Sequence, residues 1–254
     1  MILDSFRLDG KVALVTGARQ GLGQALALAL AEAGADIAAL DRNEETDTCA
    51  AVAALKRRSL PIKCDLRDAK PADLAQIVDR VVSELGRLDI LVNNAGIIRR
   101  SPAADFSETD WDDVLAINLK AVFFLSQAAG RVMLAQGRGK IINIASMLSF
   151  QGGILIPSYT AAKSGVAGIT RALANEWAAR GVNVNAIAPG YMETENTAPL
   201  RADAKRSASI LERIPAGRWG TPADLAGTAV FLASSASDYL HGVILPVDGG
   251  WLTR

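Results

Sequence analysis

Tyr159-Thr-Ala-Ala-Lys163 sets a phenol and an amine at positions i and i+4, with Ser146 thirteen residues upstream. On a helix the two side chains emerge on one face about a turn apart. A free phenol has a pKa near about 10 and is almost fully protonated at neutral pH. An ammonium within a few ångströms favours the phenolate and lowers that pKa. The pair then gives or takes a proton near pH 7, as acid–base catalysis requires. Moving the phenol to about 7 asks about 4 kcal/mol of electrostatics. Ser146, at a strand end facing the same helix, could hydrogen-bond the reacting oxygen. A lone Y-x-x-x-K recurs by chance, so its meaning rests on the elements that position it.

Those elements begin near the N-terminus. Lys11-Val-Ala-Leu-Val-Thr16 is a short valine-rich run, the pattern of a buried parallel strand. Gly17-Ala-Arg19-Gln20-Gly21-Leu22-Gly23 follows, and then a strongly helix-forming stretch. Strand, glycine turn and helix together make a nucleotide site, with the pyrophosphate on the free N–H groups of the helix start. The spacing is G-x-x-x-G-x-G rather than G-x-G-x-x-G. The next strand ends in Asp41, eighteen residues after Gly23. An acid there accepts the ribose hydroxyls and repels a 2′-phosphate, favouring NAD over NADP. Arg42 and Arg19 could instead receive a phosphate, and a solvated loop charge is the alternative for Arg42.

Apolar runs and helical patterns alternate along the whole chain. Strands are expected near 11–16, 36–41, 61–64, 88–93, 139–145, 182–188 and 243–247. Helices are expected near 21–33, 44–57, 70–85, 109–136, 158–180 and 221–233. The fold class is therefore α/β: one Rossmann-like, doubly wound parallel sheet of about seven strands with helices on both faces. No repeat or linker divides residues 1–254, which read as one domain. Thr221-Pro222-Ala-Asp224 has the makings of a helix start. The charged segment 190–218 is too long for a simple connection and reads as a substrate lid or a solvated helical surface.

Composition narrows the class. Lys plus Arg number 27 and Asp plus Glu number 27, so no net field draws nucleic acid or an anionic membrane. No run approaches the roughly 18 apolar residues of a membrane span, and no signal-like stretch opens the chain, so a cytoplasmic protein is expected. Two separated cysteines and one histidine, His241, do not resemble a zinc site, and no metal is expected. No G-x-S-x-G supports a serine hydrolase.

With these motifs assembled, the chain resembles the short-chain dehydrogenase/reductase family from end to end. The landmarks run in order: Thr16-Gly17-x-x-x-Gly21-x-Gly23, Cys64-Asp65-Leu66, Asn93-Asn94-Ala95-Gly96, Asn118, Ser146, Tyr159-x-x-x-Lys163, then Pro189-Gly190 with Thr194. The resemblance implies hydride transfer at a CH–OH group with Asn118, Ser146, Tyr159 and Lys163 as catalytic residues. Asn118 would hold a water in a proton relay from Lys163. It implies a cofactor site made of the glycine loop, Asp41, Arg42, Asp65, Leu66, Asn94, Ala95, Gly96, Tyr159, Lys163, Pro189, Gly190 and Thr194. Asp65 would meet the adenine, and Lys163 the nicotinamide ribose.

Further stretches resemble the sugar-acid branch of the family, among them Ile97-Ile-Arg-Arg100, Ser146-Met-Leu-Ser-Phe-Gln-Gly-Gly153, Ala174-Asn-Glu-Trp177 and Val247-Asp-Gly-Gly-Trp251. The expected substrate is thus a deoxygluconate-type sugar acid, exchanging hydride with NAD(H). Arg99 and Arg100 could hold its carboxylate, with Ser146, Met192 and Arg201 as further substrate candidates. Two adjacent solvated charges are the alternative reading of the arginines. The branch leads one to expect a basic residue between Gly153 and Pro157, where this chain has Ile154-Leu-Ile156. Glu195 beside Thr194 is a second departure, and both leave a less charged keto-sugar open. Gluconate 5-dehydrogenase-like and 3-oxoacyl-carrier-protein reductase-like activities stay open, and more distantly a nucleotide-sensing protein. The family commonly forms homotetramers through its two longest helices and its C-terminal strand, so a homotetramer is expected, with a dimer as the alternative.

Overall fold

Valine-, isoleucine- and alanine-rich runs form strands here because both of their faces are covered by helices. The computed structural model describes residues 1–44 and 46–254. Its sheet holds β1 (Val12–Thr16), β2 (Asp36–Asp41), β3 (Ser59–Lys63), β4 (Ile90–Asn93), β5 (Gly139–Ile144), β6 (Val182–Pro189) and β7 (Ile244–Val247). All neighbours pair in parallel, in the order β3-β2-β1-β4-β5-β6-β7. Alternation along each strand sorts side chains between two layers. Val12 and Leu14 point into one, and Ala13 and Val15 into the other.

The first layer is completed by α3 (Pro71–Leu85), α5 (Ala121–Gln136) and α6 (Pro157–Trp177). The second is closed by α1 (Gly21–Glu32), α2 (Asp47–Ala54) and α9 (Ala223–Ala233). The helix expected over 44–57 is thus shorter, and Glu45 lies outside the described residues. At the start of α9 the expected cap works in reverse. The Asp224 carboxylate accepts from the Thr221 N–H (2.7 Å) and hydroxyl (3.0 Å), and Arg218 beside it holds that acid well below the usual carboxylate range.

The single helix expected over 109–136 is two helices. α4 (Glu108–Leu115) and α5 are joined by a π turn, Ala116–Lys120, closed by the Ala121 N–H on the Ala116 carbonyl. Such turns insert a residue into the helical ladder and concentrate at functional sites. This one carries Asn118. Beyond β6, the segment over 190–218 holds two short helices, α7 (Ala198–Ala202) and α8 (Ala204–Arg213). They rest on an aromatic cluster: the Tyr191 ring lies 4.8 Å from Trp251 and 5.4 Å from Trp219, and Arg213 stacks on Trp251 at 4.0 Å.

α5 and α6 approach closely where Gly130 faces Trp177. A methyl group at Gly130 would stand 2.6 Å from the indole. Gly130→Ala should therefore destabilise the fold by about 1–3 kcal/mol, as overpacked cores do, read as a lower urea midpoint at unchanged m-value. An unchanged midpoint would show that Trp177 moves freely.

Candidate active site

The β1–α1 turn brings two stretches of backbone into contact. Gly17 has φ +66° and Gly21 φ +59°, both in the left-handed region that favours glycine. A Cβ on Gly23 would lie 2.0 Å from the Gly17 carbonyl oxygen, so only glycine lets α1 start there. Asn94 staples the turn from β4, its amide donating to the carbonyls of Thr16 (2.9 Å) and Gly17 (3.3 Å). The buried Thr16 hydroxyl returns the contact by accepting the N–H groups of Asn94 (3.0 Å) and Ala95 (2.9 Å).

A cleft of about 550 Å³ opens above this turn, at the carboxyl ends of the strands. The glycine-loop residues Gly17, Arg19, Gln20, Gly21, Leu22 and Gly23 form its floor. Asp41 and Arg42 line one end beside Asp65 and Leu66, and Asn94, Ala95 and Gly96 continue the wall. Tyr159, Lys163 and Thr194 lie at the other end. α1 begins without a side-chain cap, leaving its N-terminal N–H groups for an anion. Floor, free helix start and an acid at the end of β2 fit a nicotinamide dinucleotide. At the acid, Asp41 accepts from the Asn43 N–H (3.1 Å), and the Arg19 Nε stands 3.9 Å away.

Pro189 and Gly190 end β6 outside the lining, and the Gly190 N–H donates to the Val247 carbonyl (3.0 Å). Across the cleft, the Gln20 amide donates to the Glu195 carboxylate at 2.5 Å, tying the glycine loop to the 190–218 segment. Arg201 is exposed, away from the cleft lining, and donates to the Thr194 carbonyl (3.2 Å). Met192, near the start of that segment, is buried in the second layer of the core rather than on the cleft wall.

Ser146, Tyr159 and Lys163 meet where β5 passes under α6. Lys163 is 3% exposed, and its Nζ donates to the Ile144 carbonyl at 2.5 Å. Burial pulls its pKa down to about 8, because a dry site disfavours the charged amine. The same Nζ stands 5.6 Å from the centroid of the Tyr159 ring. Burial pushes the Tyr159 phenol above its ordinary value, while the hydrogen bond from Ser146 and the charge of Arg100 pull it back. In the protein alone the phenol is therefore held up, contrary to the depression expected from the Tyr159–Lys163 spacing. Desolvation outweighs the neighbouring charges.

Asn118 is wholly buried, and its side chain clamps Ile97. Its Oδ1 accepts the Ile97 N–H and its Nδ2 donates to the Ile97 carbonyl, both at 2.9 Å. This clamp fixes the strand exit that leads to Arg99 and Arg100. Arg99 lines the cleft but pairs with Asp110 (3.0 Å) and Asp113 (3.5 Å) on α4. Arg100 donates to the Asn196 carbonyl (3.1 Å), bridging to the 190–218 segment. Of the stretch where a basic residue was expected, Ile154 and Leu155 are exposed, and Leu155 has φ +66°.

Sequence reasoning did not single out the Ile144 and Ile97 carbonyls, which hold Lys163 and Asn118. Main-chain acceptors leave no residue signature. The Thr16 hydroxyl was detectable, as a buried polar residue closing an otherwise apolar strand.

Comparison with known proteins places the chain among enzymes. A family model described as Enoyl-(Acyl carrier protein) reductase, a short-chain dehydrogenase model, matches residues 17–252. The 2-dehydro-3-deoxy-D-gluconate 5-dehydrogenase of Escherichia coli strain K12 is 63% identical over 257 residues, covering 100% of both chains. The enzyme of that name from Bacillus subtilis strain 168 is 55% identical over 252 residues, covering 99% of this chain and 98% of the relative. A solved gluconate 5-dehydrogenase from Burkholderia cenocepacia, in complex with NADP and tartrate, superposes with a TM-score of 0.95 at 41% identity, covering 100% of both chains.

The burial of Lys163 has a signature in stability. Its pKa is about 8 in the folded protein and about 10.4 when free. The unfolded chain thus holds more protons between those values, and stability rises with pH across that window. Lys163→Met removes this rise. Denaturant titrations from pH 7 to 10.5 should show the wild type gaining about 3 kcal/mol relative to the variant. Parallel curves would mean that the amine is hydrated.

Proposed function

This chain belongs to the short-chain dehydrogenase/reductase family, and from that premise we propose that it interconverts a secondary alcohol and a ketone of a sugar acid using NAD(H), as a 2-dehydro-3-deoxy-D-gluconate 5-dehydrogenase. The observation that carries the reading is the cleft itself, in which Tyr159 and Lys163 share one cavity with the dinucleotide floor. The name of the whole-length Escherichia coli relative supports the substrate.

When bound, the nicotinamide supplies or takes up the hydride. Tyr159 gives or removes the hydroxyl proton, and Ser146 orients the oxygen beside it. Lys163, seated on the Ile144 carbonyl, supports the phenolate with its charge. The Asn118 amide is engaged twice by Ile97, so its part in a relay is assigned to the main chain, where the π turn breaks the regular i→i−4 ladder. Thr194 closes the nicotinamide end, Pro189 and Gly190 lead the chain from β6 towards it, and the 190–218 segment acts as the lid.

The substrate carboxylate is assigned to Arg100 rather than Arg99. Arg99 already faces two acids, whereas Arg100 bridges to Asn196 and its charge acts on the Tyr159 phenol. Met192 and Arg201 are parts of the lid itself, the one rooted in the second core layer and the other held on the Thr194 carbonyl. NAD is assigned because Asp41 closes the adenosine end. NADP is the second reading, favoured by Arg19 and Arg42 around that acid and by the NADP in the Burkholderia enzyme. A cytoplasmic homotetramer completes the proposal. Trp111 is exposed, Phe123 and Phe124 stand half-buried on α5, and no described helix is long and apolar enough to cross a membrane.

NADH oxidation at 340 nm against a panel of keto-sugar acids and neutral analogues tests the function. Fast turnover of a 2-keto-3-deoxy sugar acid, lost in Tyr159→Phe while NADH still binds, is the expected outcome. Turnover of uncharged ketones alone would discard the sugar acid, and a Tyr159→Phe rate within about tenfold of wild type would discard the acid–base role, which is worth about 10²–10⁴-fold. Asp41→Ala should shift the NADPH/NADH preference toward NADPH. An unchanged ratio would show that Asp41 does not set it.

A further inference from the structure

A chain of buried polar side chains crosses the core behind the proton-transfer groups, and none of the roles assigned so far uses it. It starts on α5, where the Ser126 hydroxyl accepts from the Asn93 amide of β4 at 3.0 Å. The same amide donates to the Asn143 Oδ1 of β5 at 2.9 Å, across the registered pair Asn93–Asn143. Asn143 in turn donates to the Thr170 Oγ1 of α6 at 2.9 Å, and the Thr170 hydroxyl donates to the Val166 carbonyl at 2.8 Å. All four side chains are at most 2% exposed.

Stability alone does not account for this chain. Apolar residues of similar volume fill such space without desolvating amides, and replacing a whole buried polar pair by them is often neutral or stabilising. The chain is also incomplete, because the buried Asn93 Oδ1 has no partner. What hydrogen bonds supply that apolar packing lacks is direction, and their direction here is specific. Asn143 immediately precedes Ile144, whose carbonyl seats Lys163. Thr170 lies seven residues after Lys163, two turns along the same face of α6. Adjacent residues of β5 thus grip α6 twice, once through Thr170 and once through Lys163.

We propose that Asn143 and Thr170 are positioning residues for the dehydrogenase reaction: their hydrogen bond fixes the rotation and height of α6 on β5 at which Lys163 reaches the Ile144 carbonyl and Tyr159 reaches Ser146. The inference rests on the proposed roles of Tyr159 and Lys163. It goes beyond them in assigning the geometry to a pair that touches neither substrate nor cofactor.

The test compares Thr170→Val, which keeps the shape and removes the hydroxyl, with Thr170→Ser, which restores it. The first measurement needs no substrate. Stability is followed from pH 7 to 10.5, the window in which a dry Lys163 makes the fold firmer as pH rises. Tyr159 keeps its proton through the lower part of that window because burial holds it up, and Arg100 is the charged group that acts on it. In Thr170→Val the rise should flatten as Lys163 gains water, and in Thr170→Ser it should persist. The second measurement is the keto-sugar acid assay, with wild type and Tyr159→Phe alongside. There kcat should fall about tenfold or more in Thr170→Val, the scale of a sub-ångström misplacement, with KM for NADH within about twofold and recovery in Thr170→Ser. A constant loss of stability at every pH with kcat and its pH profile unchanged would overturn the proposal, leaving a purely structural bond. If the wild type turned over no panel substrate, the substrate reading would fail, and the pH dependence of stability would still decide whether Thr170 seats Lys163.

Discussion

An ammonium carried into a dry pocket and set on a main-chain carbonyl is the contact around which this molecule is arranged. A cation in such a place is unfavourable without a fixed acceptor. Lys163 has one only because β5 presents the Ile144 carbonyl beneath α6. The helix therefore cannot slide along the strand without stranding its own charge. Further contacts guard the same register. The Ser149 hydroxyl donates to the Lys163 carbonyl at 2.7 Å, and the Ser164 hydroxyl to that of Leu148 at 3.2 Å. Together they bind the turn after β5 to the helix that carries Tyr159, so Ser146, Tyr159 and Lys163 behave as one rigid piece.

A second constraint acts at the other end of the cleft, where backbone meets backbone. The Gly17–Gly23 approach draws the start of α1 against the end of β1, and Asn94 ties both to β4. β1 and β4 are neighbours in the sheet, and the strand order diverges on either side of them. Loops from the two halves splay apart at that divide, and crevices of open α/β sheets form there. The cleft is thus a consequence of topology, while its chemistry comes from the side chains that topology leaves at the strand ends.

Much of this was legible from residue order. The strand, glycine turn and helix at residues 12–32, the acid closing β2 and the Tyr159–Lys163 pair all carry local signatures, because each demands a residue type at a fixed spacing. The π turn was not legible. The segments on both sides of it are helical, and no residue type marks a single inserted residue, so the stretch reads as one helix. Direction of titration was also hidden. The Tyr159–Lys163 spacing suggests mutual electrostatic support, but the depth of burial that lifts the phenol and lowers the amine belongs to tertiary packing. Arg99 illustrates a third limit: its partners Asp110 and Asp113 lie across a connection whose fold no short-range pattern describes.

The bonds that grip α6 join it to β5 and its following turn, whereas three separate excursions stand apart from that grip: 97–101, 150–156 and 190–218. These excursions touch one another through Arg100 and Asn196, through the Ser101 N–H on the Leu155 carbonyl at 3.0 Å, and through Gln151 and Arg213 at 3.5 Å. They form a mutually braced collar mounted on an independent engine. Ile154 and Leu155 stand exposed on this collar, apart from the Ile144 carbonyl that seats Lys163. Load on any one excursion is therefore shared with the other two before it reaches the register that holds Lys163.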